Sequence, residues 1–153
     1  MRPFHFKKKS FRFLSFFLRF QAKPRRKSCK RYEGEQYNLQ EIYEALNRQY
    51  FGNKLCLGIT WFGNKCPPAS RCVVFGAYHE RLRLIKIHRR LDRKEIPLHF
   101  VSFIVYHEML HHVLPPISGR GNRRSVHHHA FREREKEFFH YALAQEFRGK
   151  FRV

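Results

Sequence analysis

Two histidines and a glutamate in the stretch VYHEMLHHVLPP have the spacing of a metal-dependent hydrolase. His107, Glu108 and His111 form the pattern H-E-x-x-H. On a helix, residues four apart project from the same face about one turn apart, so both imidazoles can bind one zinc ion. Glu108 follows the first ligand, where it can take a proton from water on the metal. The motif therefore predicts a zinc site with Glu108 as general base.

Further metal ligands are available downstream, where His127, His128 and His129 open the last predicted helix. Spacing alone leaves the three as alternatives for a third ligand. The competing interpretation is a buried helix with two satisfied core histidines, since the chain holds 11 histidines and chance matches to the motif occur. A charged glutamate in so apolar a segment is costly without a partner, and a metal site relieves that cost. We therefore expect Zn²⁺ as cofactor.

Charged residues around the motif have plainer interpretations. His112 points about 100° away from His111 on a helix, which predicts a surface group or one that supports the site. Glu133, Glu135 and Glu137 could mimic the glutamate ligand of other zinc enzymes. The stretch FREREKEF instead favours a solvated helix face paired with arginine.

Aromatic residues near the motif also have two interpretations. Tyr78, His79 and Tyr106 could stabilise an oxyanion, but we expect them to pack in the core or at its rim. Trp61 and Phe62 are expected in the core.

The elements that must position these residues are indicated by hydrophobic periodicity. NLQEIYEALNRQYFGNKL predicts an amphipathic helix that is capped by Asn38 and ends at Gly52 and Asn53. LCLGITWF, RCVVFGAYHE and LRLIKIHRRL predict three strands. Short connections between strands favour an antiparallel meander, so we expect an α+β fold with a three-stranded antiparallel sheet.

Two helices are predicted after the strands. LHFVSFIVYHEMLHHVL is long and apolar enough to be a buried helix, which the proline pair at 115–116 stops. HHHAFREREKEFFHYALAQEF predicts a single final helix. One face of that helix carries Phe131, Glu135, Phe138 and Ala142.

The charge is strongly basic and unevenly distributed. The chain has 32 Lys and Arg against 12 Asp and Glu, a net charge of +20. Residues 1–32 contain twelve basic residues and no acidic one. We divide the chain into a basic, Phe-rich arm at 1–36 and a domain at 37–153. The arm is expected to bind nucleic acid, with an anionic membrane surface or a solvated tail as alternatives. The residues expected to contact nucleic acid are Lys7, Lys8, Lys9, Arg25, Arg26 and Lys27.

The cysteines and the first apolar run favour a cytoplasmic protein. Cys29, Cys56, Cys66 and Cys72 form no C-x-x-C pair, and we expect all four to be reduced. In an oxidising compartment Cys66 and Cys72 could pair. The run FLSFFL is too short to span a bilayer and lacks a clean cleavage site. The expected location is cytoplasmic, on the nucleoid or in the nucleus if the protein is directed to DNA.

Several of these motifs occur in an order that resembles the SprT-like zinc metallopeptidase family, of Spartan type. The resemblance covers about residues 38–147 and rests on YFGNKL, ITWF, FGAY, LIKIHRRL, VYHEMLH and VHHHAF. It implies a zincin-like fold and a peptidase that acts on proteins held on DNA. The family pattern H-G-x-x-F maps onto 127–131 and implies His127 as third ligand, although His128 stands in place of the glycine. Many relatives carry a zinc ribbon after this domain. None is visible here, so DNA contact is expected from the domain or the arm.

These residues are therefore compatible with two classes of function. The first is a zinc endopeptidase whose substrates are associated with nucleic acid. The second is a non-catalytic, zinc-containing module that binds DNA or RNA. Glu108 favours the first, because a structural zinc site needs no carboxylate beside its first histidine and closes its fourth position with Cys or His. His112 or a second histidine of the triplet could take that position, which keeps the second class open. A peptidase held at a membrane surface by the arm is a third hypothesis.

Overall fold

The computed structural model describes residues 31–64, 74–118 and 124–150. In these residues the chain forms four α-helices, a three-stranded sheet and a small two-stranded ribbon. A short 3-10 helix, Arg89–Leu91, follows the third strand. The helices and strands in chain order are α1 (Leu39–Phe51), β1 (Gly58–Phe62), β2 (Gly76–His79), β3 (Leu84–His88), α2 (Leu98–Val113), β4 (Ile117–Ser118), β5 (Arg124–Ser125), α3 (His129–Lys136) and α4 (Tyr141–Lys150).

Helix α1 begins and ends where the sequence predicts. The Asn38 side chain accepts hydrogen bonds from the backbone N–H groups of Gln40 and Glu41. These groups have no acceptor within the helix, so the cap supplies one. At the other end Gly52 adopts a left-handed conformation with φ 58°, and its N–H donates to the Asn47 carbonyl. A glycine tolerates this conformation without a steric penalty.

The three-stranded sheet is mixed, so the predicted antiparallel meander is wrong. The strand order is β1-β3-β2, with β1 parallel to β3 and β2 antiparallel to β3. Residues 80–83 are a tight connection that makes β2 and β3 a hairpin. Strands β1 and β2 therefore lie on opposite sides of β3. Alternating hydrophobicity identifies a strand but does not encode its neighbours, which explains the error.

Helix α2 is the central element of the fold. It packs against α1, the sheet, α3 and α4, and it is apolar around most of its circumference. Its fully buried side chains include Phe100, Val101, Val105, Tyr106 and Met109. The prediction of a buried helix that stops before the proline pair at 115–116 is confirmed. No helix in the described residues combines the length and the apolar composition that crossing a membrane requires.

The C-terminal segment is not one helix, as predicted, but two. Helix α3 ends at Lys136 and α4 starts at Tyr141. Between them the backbone forms a tight turn whose N–H groups bond to the carbonyl three residues earlier, such as the Tyr141 N–H to the Phe138 carbonyl at 2.9 Å. Phe138 is buried in this turn against the ring of Tyr106, with centroids 5.4 Å apart. The break resets the helical phase, so Ala144 is buried and Ala142 is exposed, contrary to the predicted face.

The chain entering α1 is bonded to the rest of the fold. The Trp61 N–H donates to the Arg31 carbonyl at 3.0 Å. The buried carboxylate of Asp92 accepts from the backbone N–H groups of three consecutive residues, 35–37, at 2.8, 2.9 and 3.1 Å. Residues 31–36, which we assigned to the arm, therefore contact the domain. The arm residues predicted to contact nucleic acid, Lys7 to Lys27, lie outside the described residues.

Of the four cysteines, only Cys56 lies in the described part of the chain. Its thiol is free and the residue is exposed. The predictions for Cys29, Cys66 and Cys72 concern residues outside that part.

Candidate metal centre and active site

Three histidines converge at one point between α2 and α3. The Nε2 atom of His107 lies 3.1 Å from that of His111 and 3.2 Å from that of His127, and the last two are 3.3 Å apart. Nitrogens bound about 2.0–2.1 Å from a tetrahedral zinc are roughly 3.3 Å from one another. The three histidines are therefore close enough to hold a metal ion.

Of the three downstream histidines, the structure brings His127 to this point. His127 lies just after β5, in the loop that leads into α3. His128 occupies the N-terminal cap position of α3, and His129 is its exposed first residue. The loop between β5 and α3 thus brings His127, rather than His128 or His129, to the other two histidines.

A buried carboxylate determines which nitrogen of His107 faces the cluster. Glu135 of α3 is 9% exposed, and its Oε1 lies 2.6 Å from the His107 Nδ1. Burial is the largest influence and raises the pKa of this carboxyl group, but the hydrogen bond from His107 and the charges of His107, Arg148 and His127 together outweigh burial and leave the pKa lowered. An ionised carboxylate can only accept, so the His107 Nδ1 carries a hydrogen, and in the neutral ring Nε2 is then the nitrogen that presents a lone pair to the cluster.

The predicted solvated face of α3 is therefore only partly right. Glu133 is exposed and pairs with Lys136 at 2.8 Å, and Glu137 is exposed and pairs with Arg134. Glu135 points the other way, into the site, and has no arginine partner of its own in the described ion pairs. The sequence carried a signal for this, because Glu135 shares its helix face with the buried Phe131 and Phe138.

The other two rings are held in a form suited to metal binding. Burial, followed by the nearby His107 and His127, lowers the pKa of His111 to about 4. Burial is also the main cause of the lowered pKa of His127. Neutral imidazoles are the form that binds metals. The fully buried ring of Phe131 packs against all three, with centroids 4.7 to 5.1 Å away, and fixes their orientation.

Glu108 lies beside the cluster, in the cleft, on the side lined by β2. Its side chain is 5% exposed, and burial is the main reason that its pKa rises to about 7. The carboxylate accepts a hydrogen bond from the Tyr78 backbone N–H on β2. A Cβ atom on Gly76 would lie 2.6 Å from the Glu108 Oε1, so only glycine leaves room for the carboxylate in this position.

These groups share one open cleft of about 740 Å³. His107, Glu108 and His111 line it from α2, the strand β2 lines one side, and His127 lines the other. His112 also lines the cleft, and its Nδ1 lies 2.7 Å from the Tyr78 hydroxyl. His112 was predicted to be either a surface group or one that supports the site. It lines the cleft and contacts Tyr78 there.

The remaining aromatic candidates lie away from the cleft. Tyr106 is fully buried, donates to the Arg134 carbonyl at 2.8 Å, and has a pKa raised by burial to about 12. His79 is exposed on β2. Trp61 is in the core as predicted, whereas Phe62 is only half-buried.

Sequence reasoning assigned Glu135 to a solvated face and missed its contact with His107, and it gave Gly76 no role. Glu135 could have been found from its buried helix face. Nothing in the sequence around Gly76 indicates that its missing side chain makes room for a residue 32 positions later.

Neither a protein-family model, a curated protein nor a solved structure matches the chain.

Proposed function

We propose that this protein is a zinc-dependent metalloendopeptidase with a zincin-like fold of SprT-like type. The observation that carries the proposal is the buried carboxylate of Glu108, which faces the same open cleft as three converging histidines. The order of the family motifs supports it, because ITWF, FGAY and LIKIHRRL overlap β1, β2 and β3, and VYHEMLH lies on α2.

The residues present fit a zinc ion. His107, His111 and His127 would hold it through Nε2, and Glu135 would keep the His107 ring in the required tautomer. The Nε2 atoms of His111 and His127 both lie near the His107 Nε2, so one ion could contact all three. When bound, zinc supplies Lewis acidity, which polarises the scissile carbonyl and acidifies a water molecule.

Glu108 would move the proton in this reaction. As the oxygen of water bonds to the carbonyl carbon, the carboxylate takes a proton from that water. When the C–N bond breaks, it gives the proton to the departing nitrogen, so one water is consumed and Glu108 returns to its starting form. Gly76 and the Tyr78 N–H hold the carboxylate at the cleft for both steps.

The cleft favours an enzyme over a non-catalytic zinc module. A structural zinc site closes its fourth position with another Cys or His. Among the described residues, the ligand group consists of three histidines. His112, which could have closed the site, is bonded to Tyr78 instead. A fourth position is therefore left for water and substrate.

The charge supports nucleic-acid-associated proteins as substrates. A net charge of +20, with twelve basic residues in the first 32, gives a long-range attraction to polyanions. A peptidase held on nucleic acid meets the proteins bound there at a high local concentration. Such a protein would act in the cytoplasm, on the nucleoid, or in the nucleus.

The test is to compare the parent with Glu108→Gln. Cleavage of a DNA-bound protein, in the presence of DNA, should fall by about 100-fold or more, on the scale of a lost general base. Zinc measured by elemental analysis should stay near one per chain. Glu133→Gln is the matched control, since Glu133 is exposed and pairs only with Lys136 in the described ion pairs. A metal-free parent, or equal cleavage by Glu108→Gln, would refute the proposal.

A further inference from the structure

The cleft contains a second polar group that the proposed mechanism does not use, the hydroxyl of Tyr78. Its oxygen lies 2.7 Å from the Nδ1 of His112, and the two rings meet edge to face with centroids 5.6 Å apart. The ring of Tyr78 packs against the hydrophobic core, so the hydroxyl is held in place from both ends. Tyr78 and His112 both line the cleft that Glu108 faces.

The geometry of α2 puts this pair on the same side as the general base. Glu108 and His112 are four residues apart and both contact Tyr78, the first through the backbone N–H and the second through the hydroxyl. His107 and His111 are also four apart, but they face α3 through Glu135 and Phe131. A peptide in the cleft would therefore have the histidine cluster on one side and Tyr78 on the other.

The hydrogen bond to His112 leaves the Tyr78 hydrogen free for a substrate in the tautomer whose Nδ1 carries the hydrogen. A phenol offers one O–H donor and lone pairs that accept. If the His112 Nδ1–H donates to the Tyr78 oxygen, the Tyr78 O–H can point to an acceptor in the cleft. Burial is the main cause of the raised pKa of Tyr78, so the hydroxyl keeps its hydrogen at neutral pH.

Peptide hydrolysis creates such an acceptor. When water bonds to the carbonyl carbon, the second electron pair of the C=O bond moves onto the oxygen, which becomes negatively charged. A fixed O–H donor stabilises that charge more than it stabilises the neutral carbonyl, and so accelerates the step without transferring a proton.

We infer that Tyr78 is a catalytic residue whose hydroxyl donates a hydrogen bond to the scissile carbonyl oxygen, and that His112 positions this hydroxyl. The inference rests on the proposed peptidase function and adds a donor to it. It also assigns the side of the cleft on which the carbonyl oxygen lies, next to β2.

The first experiment is Tyr78→Phe in the full chain, which keeps the ring and removes the hydroxyl. On the protein substrate that the parent cleaves, kcat should fall by about 100-fold, the scale for loss of one oxyanion donor, with KM nearly unchanged. Zinc content should not change. Tyr37→Phe is the matched control, because it also loses a hydroxyl hydrogen bond, to the Ile96 carbonyl, but Tyr37 does not line the cleft.

His112→Ala tests the positioning role. We expect a smaller loss of kcat, and the double variant with Tyr78→Phe should be no slower than Tyr78→Phe alone, since His112 acts through that hydroxyl. Full additivity of the two losses would overturn the role of His112.

A binding measurement separates transition-state stabilisation from a structural role. A phosphinic-acid analogue of the cleaved peptide should bind Tyr78→Phe about 100-fold more weakly than the parent, on the same scale. The ordinary peptide, titrated in a Glu108→Gln background, should bind equally with and without the hydroxyl. Unchanged kcat in Tyr78→Phe, a change in KM alone, or loss of zinc would overturn the inference while Glu108→Gln still upheld the peptidase. If Glu108→Gln cleaves like the parent, both proposals fall.

Discussion

His107 shows how one buried contact prepares a ligand. An imidazole has two nitrogens, and which of them is free to bind a metal depends on the bond that the other makes. Glu135 accepts from Nδ1 at 2.6 Å and is largely buried, so water screens the bond only weakly. The ring is thereby fixed both in orientation and in tautomer.

This contact predicts weaker metal binding in Glu135→Gln. The substitution keeps the volume of the side chain but removes the charge that holds the His107 tautomer. We expect zinc affinity to fall about 10- to 100-fold, the range seen when such supporting partners are changed. The measurement is competition with a chelator of known affinity. Glu133→Gln on the exposed face of the same helix is the control, and equal affinity in the two variants would contradict the prediction.

At the scale of elements, the edge strand β2 shapes the general base. Gly76 leaves space for the Glu108 carboxylate, and the Tyr78 N–H binds it. Both contacts come from a strand that lies beside β3 and against α2. The position of β2 in the sheet therefore matters to the chemistry as well as to the fold.

Gly76→Ala should separate catalysis from stability. The added methyl would lie 2.6 Å from the Glu108 Oε1, so the flexible carboxylate must move while the backbone can stay. A displacement of about 1 Å can cost on the order of 100-fold in rate, so we expect a loss of cleavage of that size. Zinc content and Tm should change little.

The control for this prediction is Gly58→Ala in β1. There the added methyl would meet the end of the Leu84 side chain at 3.0 Å, and Gly58 does not line the cleft. Normal cleavage by Gly76→Ala would show that Glu108 does not need the observed position.

At the scale of the whole molecule, charge is the dominant feature outside the cleft. The chain from residue 33 onward carries +8 of the net charge of +20, and residues 1–32 carry the rest. Basic side chains bind phosphates by releasing condensed counterions, and aromatic rings can stack on unpaired bases. The arm combines both residue types.

The arm predicts salt-dependent binding of single-stranded DNA by the full chain. Changing six basic residues to Gln should weaken binding and make its salt dependence shallower. The slope of log affinity against log salt concentration should change by up to about 4, because each phosphate contact on a single strand contributes roughly 0.7. The measurement is a set of DNA titrations at several salt concentrations. The six residues are Lys7, Lys8, Lys9, Arg25, Arg26 and Lys27.

Exchanging Lys and Arg at the same six positions provides the control, because it keeps the charge. Equal affinity and equal slope in the Gln variant would rule out the arm as the nucleic-acid contact. Co-sedimentation of the parent, but not the Gln variant, with anionic vesicles would favour a membrane surface as its partner.

The features that the sequence by itself determined are local ones. Helix geometry sets His107, Glu108 and His111 relative to one another, because residues one to four apart on a helix have a fixed relation. The cap at Asn38, the stop at Gly52 and the burial of α2 follow from residues within a few positions of each element.

The tertiary structure decided the features that join distant parts of the chain. Spacing allowed three downstream histidines, and the loop after β5 selected His127. The predicted final helix is interrupted where Phe138 is buried, and the packing of α3 on α2 places Glu135 against His107. The order of the strands, and with it the place of Gly76 beside Glu108, depends on long-range pairing that hydrophobic alternation does not encode. The H-E-x-x-H motif therefore predicts the kind of site, whereas tertiary packing brings His127, Glu135 and Gly76 to it.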